Sequence, residues 1–201
     1  MSKSKATIEP ARALPRIEVA HGIYRIIAGH LAGSGQAFAY LGGRRIHTAT
    51  ETSVEAAIAS VSEALDARMK ELRRQRDGDI PGAAEFAEAL QGMEPRTFAA
   101  LVPLLRAHRY SPRHAASLAD IGRVTGIPES SVATLYVKLG KTVGATLGVA
   151  PVGASISRRL LPLLVFAIAE AGAKDSLSFR FQPSFVAALD GILGVHRRST
   201  A

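Results

Sequence analysis

The stretch LADIGRVTGIPESSVATLYV, residues 118–137, constrains the fold of this chain more than any other segment. Two short runs of helical apolar spacing are separated by a break that begins at Gly126. Gly122 provides a small residue where a second helix would cross the first, and Gly126 suits a left-handed turn. The residues that would hold such a pair of helices together are Ile121, Ile127, Val132 and Leu135. The stretch therefore predicts a helix-turn-helix, with a plain corner between two core helices as the alternative.

The second predicted helix, at about 129–147, has a polar face suited to DNA. Ser and Thr hydroxyls can reach bases or phosphates, and Lys neutralises phosphates. The candidate DNA-binding residues on this face are Ser130, Ser131, Thr134, Lys138 and Lys141. Further candidate contacts elsewhere in this half are Arg109, Arg113, Arg123, Arg158, Arg159 and Arg180. The face lacks Arg, Asn and Gln, so either the specificity is modest or it depends on elements such as Arg109 and Arg113.

Basic residues are concentrated in the half of the chain that contains this stretch. The whole chain has a net charge of +8. Residues 94–201 hold 13 Lys and Arg against 6 Asp and Glu, whereas residues 1–93 hold 12 against 11. A localised positive field is typical of proteins that bind nucleic acids, although a solvated basic surface without a partner has the same composition.

The N-terminal part predicts a small sheet packed on one helix. Residues 23–50 contain β-branched, partly alternating runs, and Gly42-Gly43 between two of them is a hairpin signal. Thr52 and Glu55 fit a capping box, and helical apolar spacing follows them. We therefore predict a flexible arm over residues 1–20 and a β-β-β-α module over residues 21–77.

The segments after the predicted helix-turn-helix suggest a wing. Residues 160–170 are almost entirely apolar and fit either a buried strand or a buried helix. Residues 177–181 alternate as a strand, and Pro183 opens a last helix. Along the predicted helix, Gly140, Gly144 and Gly148 recur at four-residue spacing, which would let a neighbouring segment or a second copy of the chain approach closely.

The predicted fold class is α+β. A small N-terminal three-stranded sheet with one helix is followed by a helical C-terminal winged helix-turn-helix domain with a β-hairpin. In this division residues 78–93 form a linker and a short helix, residues 94–195 form the winged helix-turn-helix domain, and residues 196–201 form a basic tail.

Three segments of the C-terminal half resemble a known family. They read GAAEFAEAL, SLADIGRVTGIPESSVATLYVKLGKTVGATLG and FRFQPSFVAAL. The part from about Gly82 to Leu193 is similar to the helix-turn-helix module of bacterial proteins fused to, or grouped with, HNH endonucleases and restriction-type genes. Val137 stands where that family usually has Gly, and Phe179 where it has Trp. The resemblance implies a DNA-binding, winged-helix-like module; it does not imply nuclease activity, because an HNH-type cluster is missing from the sequence.

No residue pattern indicates catalysis. The chain has no cysteine, which excludes disulfides, cysteine zinc sites and thiol chemistry. Its six histidines form no metal-binding pair beside a carboxylate, and His108 and His114 are predicted to contact phosphate or solvent in an exposed basic loop. Phosphate-loop and serine-hydrolase motifs do not occur. We therefore predict no catalytic residues, no metal and no cofactor.

The sequence favours a DNA-binding regulator. Its longest apolar run is shorter than the about 20 residues that a membrane span needs, and its first residues lack an apolar signal core. We predict a cytoplasmic, sequence-specific or semi-specific transcriptional regulator of bacterial or phage type, which binds double-stranded DNA and has a second copy of itself as a further partner. The alternative is a non-catalytic protein-interaction adaptor or accessory subunit of a restriction or defence system.

Overall fold

The N-terminal part of the chain is a four-stranded antiparallel sheet with one helix on its face. The computed structural model describes residues 16–151, 156–171 and 177–194. The strands follow one another as neighbours in the order β1-β2-β3-β4. Their bounds are β1 Ile17–His21, β2 Tyr24–Leu31, β3 Ser34–Leu41 and β4 Arg44–Glu51, and helix α1 spans Val54–Arg74.

Strand periodicity explains how sheet and helix pack. Alternate residues of a strand point to the same face, and one such set is buried under α1: Tyr24, Ile26, Ala28, Ala37, Ala39 and Leu41. The helix contributes a stripe that includes Ala57, Val61 and Leu65. Its N-cap is Ser53, whose side-chain oxygen accepts the N–H of Ala56 at 3.1 Å, and not Thr52 as the sequence suggested.

The prediction of a three-stranded N-terminal sheet was wrong. Residues Ile17–His21, most of which were assigned to a flexible arm, form edge strand β1 and pair with β2 from Ile17 opposite Ala28 to His21 opposite Tyr24. The strand is short and largely exposed. It therefore carries little of the apolar alternation on which the sequence analysis relied.

The C-terminal part consists of five helices around a small three-stranded sheet. The helices are α2 Ala83–Gln91, α3 Pro95–Arg109, α4 Leu118–Thr125, α5 Glu129–Leu147 and α6 Pro183–Leu193. The strands are β5 Ala115–Ser117, β6 Ala167–Ala171 and β7 Leu177–Phe181, and both neighbours of β7 run antiparallel to it in the order β5-β7-β6. One core cluster joins all five helices to the sheet.

Several predictions for this half need correction. The expected β-hairpin is part of a three-stranded sheet, because β5 adds to β7. Residues 160–170 are neither one strand nor one helix: a 3-10 helix, Leu161–Val165, is followed by β6. The short helix assigned to a linker, α2, belongs to the core through Phe86 and Leu90. The turn between β6 and β7 and the basic tail, 196–201, lie outside the described residues.

Helix α2 joins the two parts of the chain through two buried carboxylates. Glu88 accepts hydrogen bonds from the Tyr24 hydroxyl of β2 and from Arg68 of α1, whose Nε lies 2.6 Å from Oε1. Glu85 binds Arg76 with both oxygens, at 2.7–3.0 Å. The same guanidinium donates to the carbonyl of Leu147 at the end of α5, at 2.8 Å. Buried charges are retained where they are paired and hydrogen-bonded, so these two sites fix α2 to both parts.

We expect Glu88→Gln to lower the free energy of unfolding by about 1–2 kcal/mol, because two charge-assisted hydrogen bonds become neutral ones. Urea unfolding measures this loss. The matched control is Glu71→Gln, which removes an exposed ion pair with Arg74 on α1; such pairs contribute about 0.5 kcal/mol or less. Equal stability of the two variants would show that the contact between Glu88 and its partners does not hold the parts together.

Candidate nucleic-acid interface

Helices α4 and α5 follow one another across a tight turn that begins at Gly126. Gly126 ends α4 in the left-handed conformation, with φ of 73°, and its N–H donates to the carbonyl of Gly122. A Cβ atom at Gly122 would lie 2.6 Å from the carbonyl oxygen of Ile127, so the chain passes too close for any side chain there. The predicted need for glycine at both positions is confirmed, and α5 has the predicted bounds of 129–147.

Helix α5 has two distinct faces. Its inner face is buried in the core and includes Val132, Tyr136, Leu139 and Val143. Successive residues of a helix are rotated by about 100°, so a residue two positions from a buried one points to the opposite side of the helix. The five candidate residues of α5 are all exposed: Ser130, Ser131, Thr134, Lys138 and Lys141. The structure thus brings these hydroxyls and ammonium groups together on one solvent-facing stripe.

The inner face of α5 is anchored on a buried histidine. His108 is 1% exposed; its Nε2 lies 2.6 Å from the carbonyl oxygen of Phe179, and its Nδ1 lies 3.2 Å from the Tyr136 hydroxyl. A carbonyl only accepts, so Nε2 carries the proton and Nδ1 is left as an acceptor. Burial lowers the pKa of His108 to about 4, so the ring is neutral. The prediction that His108 lies in an exposed loop was wrong, because α3 continues through it.

Arg123 of α4 is exposed and paired with a neighbour on its own helix. Its Nη2 lies 2.6 Å from Asp120 Oδ1, one turn earlier. The guanidinium and the Ser117 hydroxyl lower the pKa of the Asp120 carboxyl, which therefore stays ionised. An anion beside Arg123 offsets part of its positive field.

Three other candidate residues lie together around a different groove. Arg109, Arg113 and Arg180 line a space of about 280 Å³ between the end of α3, β7 and α6. Arg109 is bound by Asp190 through two hydrogen bonds of 2.8 Å, and Arg180 Nε lies 2.6 Å from Glu170 Oε1. Two of the three guanidinium groups therefore already have carboxylate partners.

The groove and the exposed stripe of α5 lie on different sides of the core. Tyr136 points from α5 towards His108 at the end of α3, and Thr134 and Lys138 are each rotated by about 200° from it along the helix. The remaining pair, Arg158 and Arg159, is exposed just before the 3-10 helix that packs on α5.

A basic surface that was not predicted from the sequence lies beside the C-terminal end of α5. A cleft of about 910 Å³ separates Ala145 and Thr146 of α5 from the end of α1, where Lys70, Arg73 and Arg74 line it. The charged end of α1 is visible in the sequence. Its position next to α5 is not, because it depends on the contact between Arg76 and Leu147.

Comparison with protein-family models, with curated proteins and with solved structures finds no match for this chain. The family resemblance of the C-terminal half therefore stays a prediction. Within the described ranges, no helix is both long enough and apolar enough to cross a membrane. The same residues contain no group of three or more His, Asp or Glu side chains arranged to hold a metal ion.

Proposed function

We propose that this protein binds double-stranded DNA by placing the exposed stripe of α5 in the major groove, and that it acts as a transcriptional regulator. The observation that carries the proposal is that stripe: hydroxyl and ammonium side chains without an apolar residue between them, on a helix that follows a tight turn. The major groove admits one α-helix, and the second helix of a helix-turn-helix is the one that enters it.

The connectivity of the surrounding elements supports the same proposal. The order is helix α3, strand β5, helices α4 and α5, then strands β6 and β7, with the first strand beside the last. Winged-helix domains have this order. The three-stranded sheet backs the two helices through Phe179 and Phe181, which are 1% exposed, so it holds α5 rigidly while the outer stripe stays free.

The side chains of the stripe predict affinity that depends on salt and modest selection among sequences. Lys138 and Lys141 neutralise phosphates, and each such contact releases counterions from the duplex. Ser130 and Ser131 can accept or donate to base edges, and Thr134 can accept, because its hydroxyl donates to the Ser130 carbonyl at 2.8 Å. None of the three forms the bidentate pairs that discriminate best. We therefore propose semi-specific recognition on α5.

Exchanging Lys138 and Lys141 for Glu should lower the affinity for a random duplex about 100-fold, because two phosphate contacts become repulsive. The slope of log K against log salt should fall in magnitude by about 2, since each contact contributes about 0.9. Fluorescence anisotropy of a labelled duplex at several salt concentrations measures both quantities.

A double variant with the same change of charge is the control. Arg44→Glu with Arg106→Glu replaces exposed residues at the start of β4 and on α3, away from the α5 stripe. We expect a much smaller loss of affinity and an unchanged slope. If both double variants lose the same affinity, net charge alone drives binding and α5 is not the interface. If the wild-type protein does not bind at low salt, the DNA-binding proposal fails.

A further inference from the structure

The second face of the N-terminal sheet is open and carries an ordered set of side chains. The register places Arg25 of β2, Tyr40 of β3 and Arg45 of β4 in one row across the sheet. The next row is Ile27, Phe38 and Thr48. Phe38 and Tyr40 thus lie side by side on the same strand face, two residues apart, while the face behind them is buried under α1.

Each aromatic ring of this face has a guanidinium group beside it. Arg25 Cζ lies 5.7 Å from the ring centroid of Tyr40, and Arg45 Cζ lies 5.6 Å from that of Phe38. Both distances are within the range of cation–π attraction. The pairing holds the arginines close to the sheet, where each presents a flat cation next to a flat ring.

Beside Phe38 the surface is concave and apolar. Arg16, Ile27, Gly29, Leu31 and Phe38 are among the residues that line a shallow groove of about 240 Å³. Gly29 has no side chain, which keeps the groove open. None of the described helices packs on this face, and its described charged residues are Arg16, Arg25 and Arg45 against Glu18. The Glu18 carboxylate lies 3.6 Å from Arg25 Nη1 in an exposed ion pair, which is weak enough for a phosphate to replace it.

We propose that this open face binds single-stranded DNA, with bases stacked on Phe38 and Tyr40 and phosphates bound by Arg25 and Arg45. Aromatic side chains on a basic surface are the usual platform for unpaired bases. Duplex DNA fits this face less well. Its major groove is about 12 Å wide and admits a ribbon of two β-strands, whereas the four strands of this sheet span about 14 Å without their side chains. Ile27 and Leu31 add apolar contact for the 5-methyl group of thymine.

The probe is a labelled oligothymidylate of about 12 nucleotides, a length within the range that such sheet surfaces cover. An abasic oligomer with the same length and charge is compared with it at moderate salt. Stacking contributes about 1–3 kcal/mol for each base, so we expect the oligothymidylate to bind at least about tenfold more tightly. It should also quench the fluorescence of Tyr40, measured as the difference between the wild-type protein and Tyr40→Phe.

Variants then locate the site. Phe38→Leu and Tyr40→Leu remove a ring but keep apolar bulk, and each should lower oligothymidylate affinity about tenfold; Tyr40→Phe should bind like the wild type. Lys138→Glu with Lys141→Glu should keep the preference for the oligothymidylate over the abasic oligomer. Loss of duplex binding alone in that variant separates this proposal from the one on α5.

Three results would overturn the proposal. They are equal affinity for the oligothymidylate and the abasic oligomer, unchanged affinity in both folded Leu variants, and tenfold tighter binding of an oligouridylate of equal length, which would make RNA the ligand. Circular dichroism checks the folding of the Leu variants. If they do not fold, the fluorescence comparison decides: no quenching in the wild-type protein contradicts stacking on Tyr40.

Discussion

Gly140→Ala should lower the free energy of unfolding by more than about 3 kcal/mol, at the upper end of what overpacking costs. Gly140 lies in the middle of α5, where the 3-10 helix Leu161–Val165 crosses it. A Cβ atom there would be 2.0 Å from the carbonyl oxygen of Pro162 and 2.4 Å from its carbonyl carbon. Both are backbone atoms, so the clash is relieved only if one element moves. Urea unfolding of the purified variant measures the loss.

The control for this variant is Gly191→Ala in α6. A Cβ atom at Gly191 meets no atom within 4 Å, and its backbone φ is negative. Alanine favours the helix over glycine by about 1 kcal/mol, so this variant should be more stable than the wild type. If Gly140→Ala is also stabilising, the 3-10 helix does not lie against α5 as described. The close contact further shows that Gly140 serves a neighbour within the chain and gives no sign of a second copy.

Acidification should destabilise the protein through His108 by about 2 kcal/mol near pH 5 and about 3 kcal/mol near pH 4. The pKa of His108 is about 4 in the folded protein and ordinarily 6.5. Between these values the unfolded chain binds a proton that the folded chain does not, so stability rises with pH. The contribution is fully present above pH 6.5 and is lost as the pH falls towards 4.

Unfolding free energies at neutral pH and near pH 5 test this expectation, with His108→Gln as the variant. Glutamine can still donate to the Phe179 carbonyl but does not titrate. The variant should be less stable at neutral pH and should lose about 2 kcal/mol less than the wild type on acidification. His47→Gln, at an exposed position of β4, should behave as the wild type does. An equal loss in the wild type and in His108→Gln would mean that His108 is not the group that couples folding to pH.

Helices α4 and α5, the turn between them and the exposed stripe of α5 could be predicted from the sequence because all depend on local signals. Gly122 and Gly126 are needed by backbone geometry that spans only a few residues, and apolar spacing at 3.6 residues separates the faces of α5. Gly42-Gly43 likewise marked the turn between β3 and β4, where both residues have positive φ.

Features that depend on distant residues could not be predicted in the same way. Nothing near His108 in the sequence shows that the carbonyl of Phe179 is its partner. Glu85 and Glu88 of α2 are charged residues, yet they are only 1% and 5% exposed because Arg76 and Arg68 reach them. For the same reason, the ion pairs of Arg109 and Arg180 were invisible among the other basic residues.

The two carboxylates of α2 also connect the open sheet face with the α5 stripe. Glu88 is attached to the sheet and to α1, and the Arg76 that pairs with Glu85 holds the last carbonyl of α5. The open sheet face and the α5 stripe are therefore connected through α2 by hydrogen-bonded ion pairs. A ligand that stiffened one surface would lower the entropic cost of ordering the other.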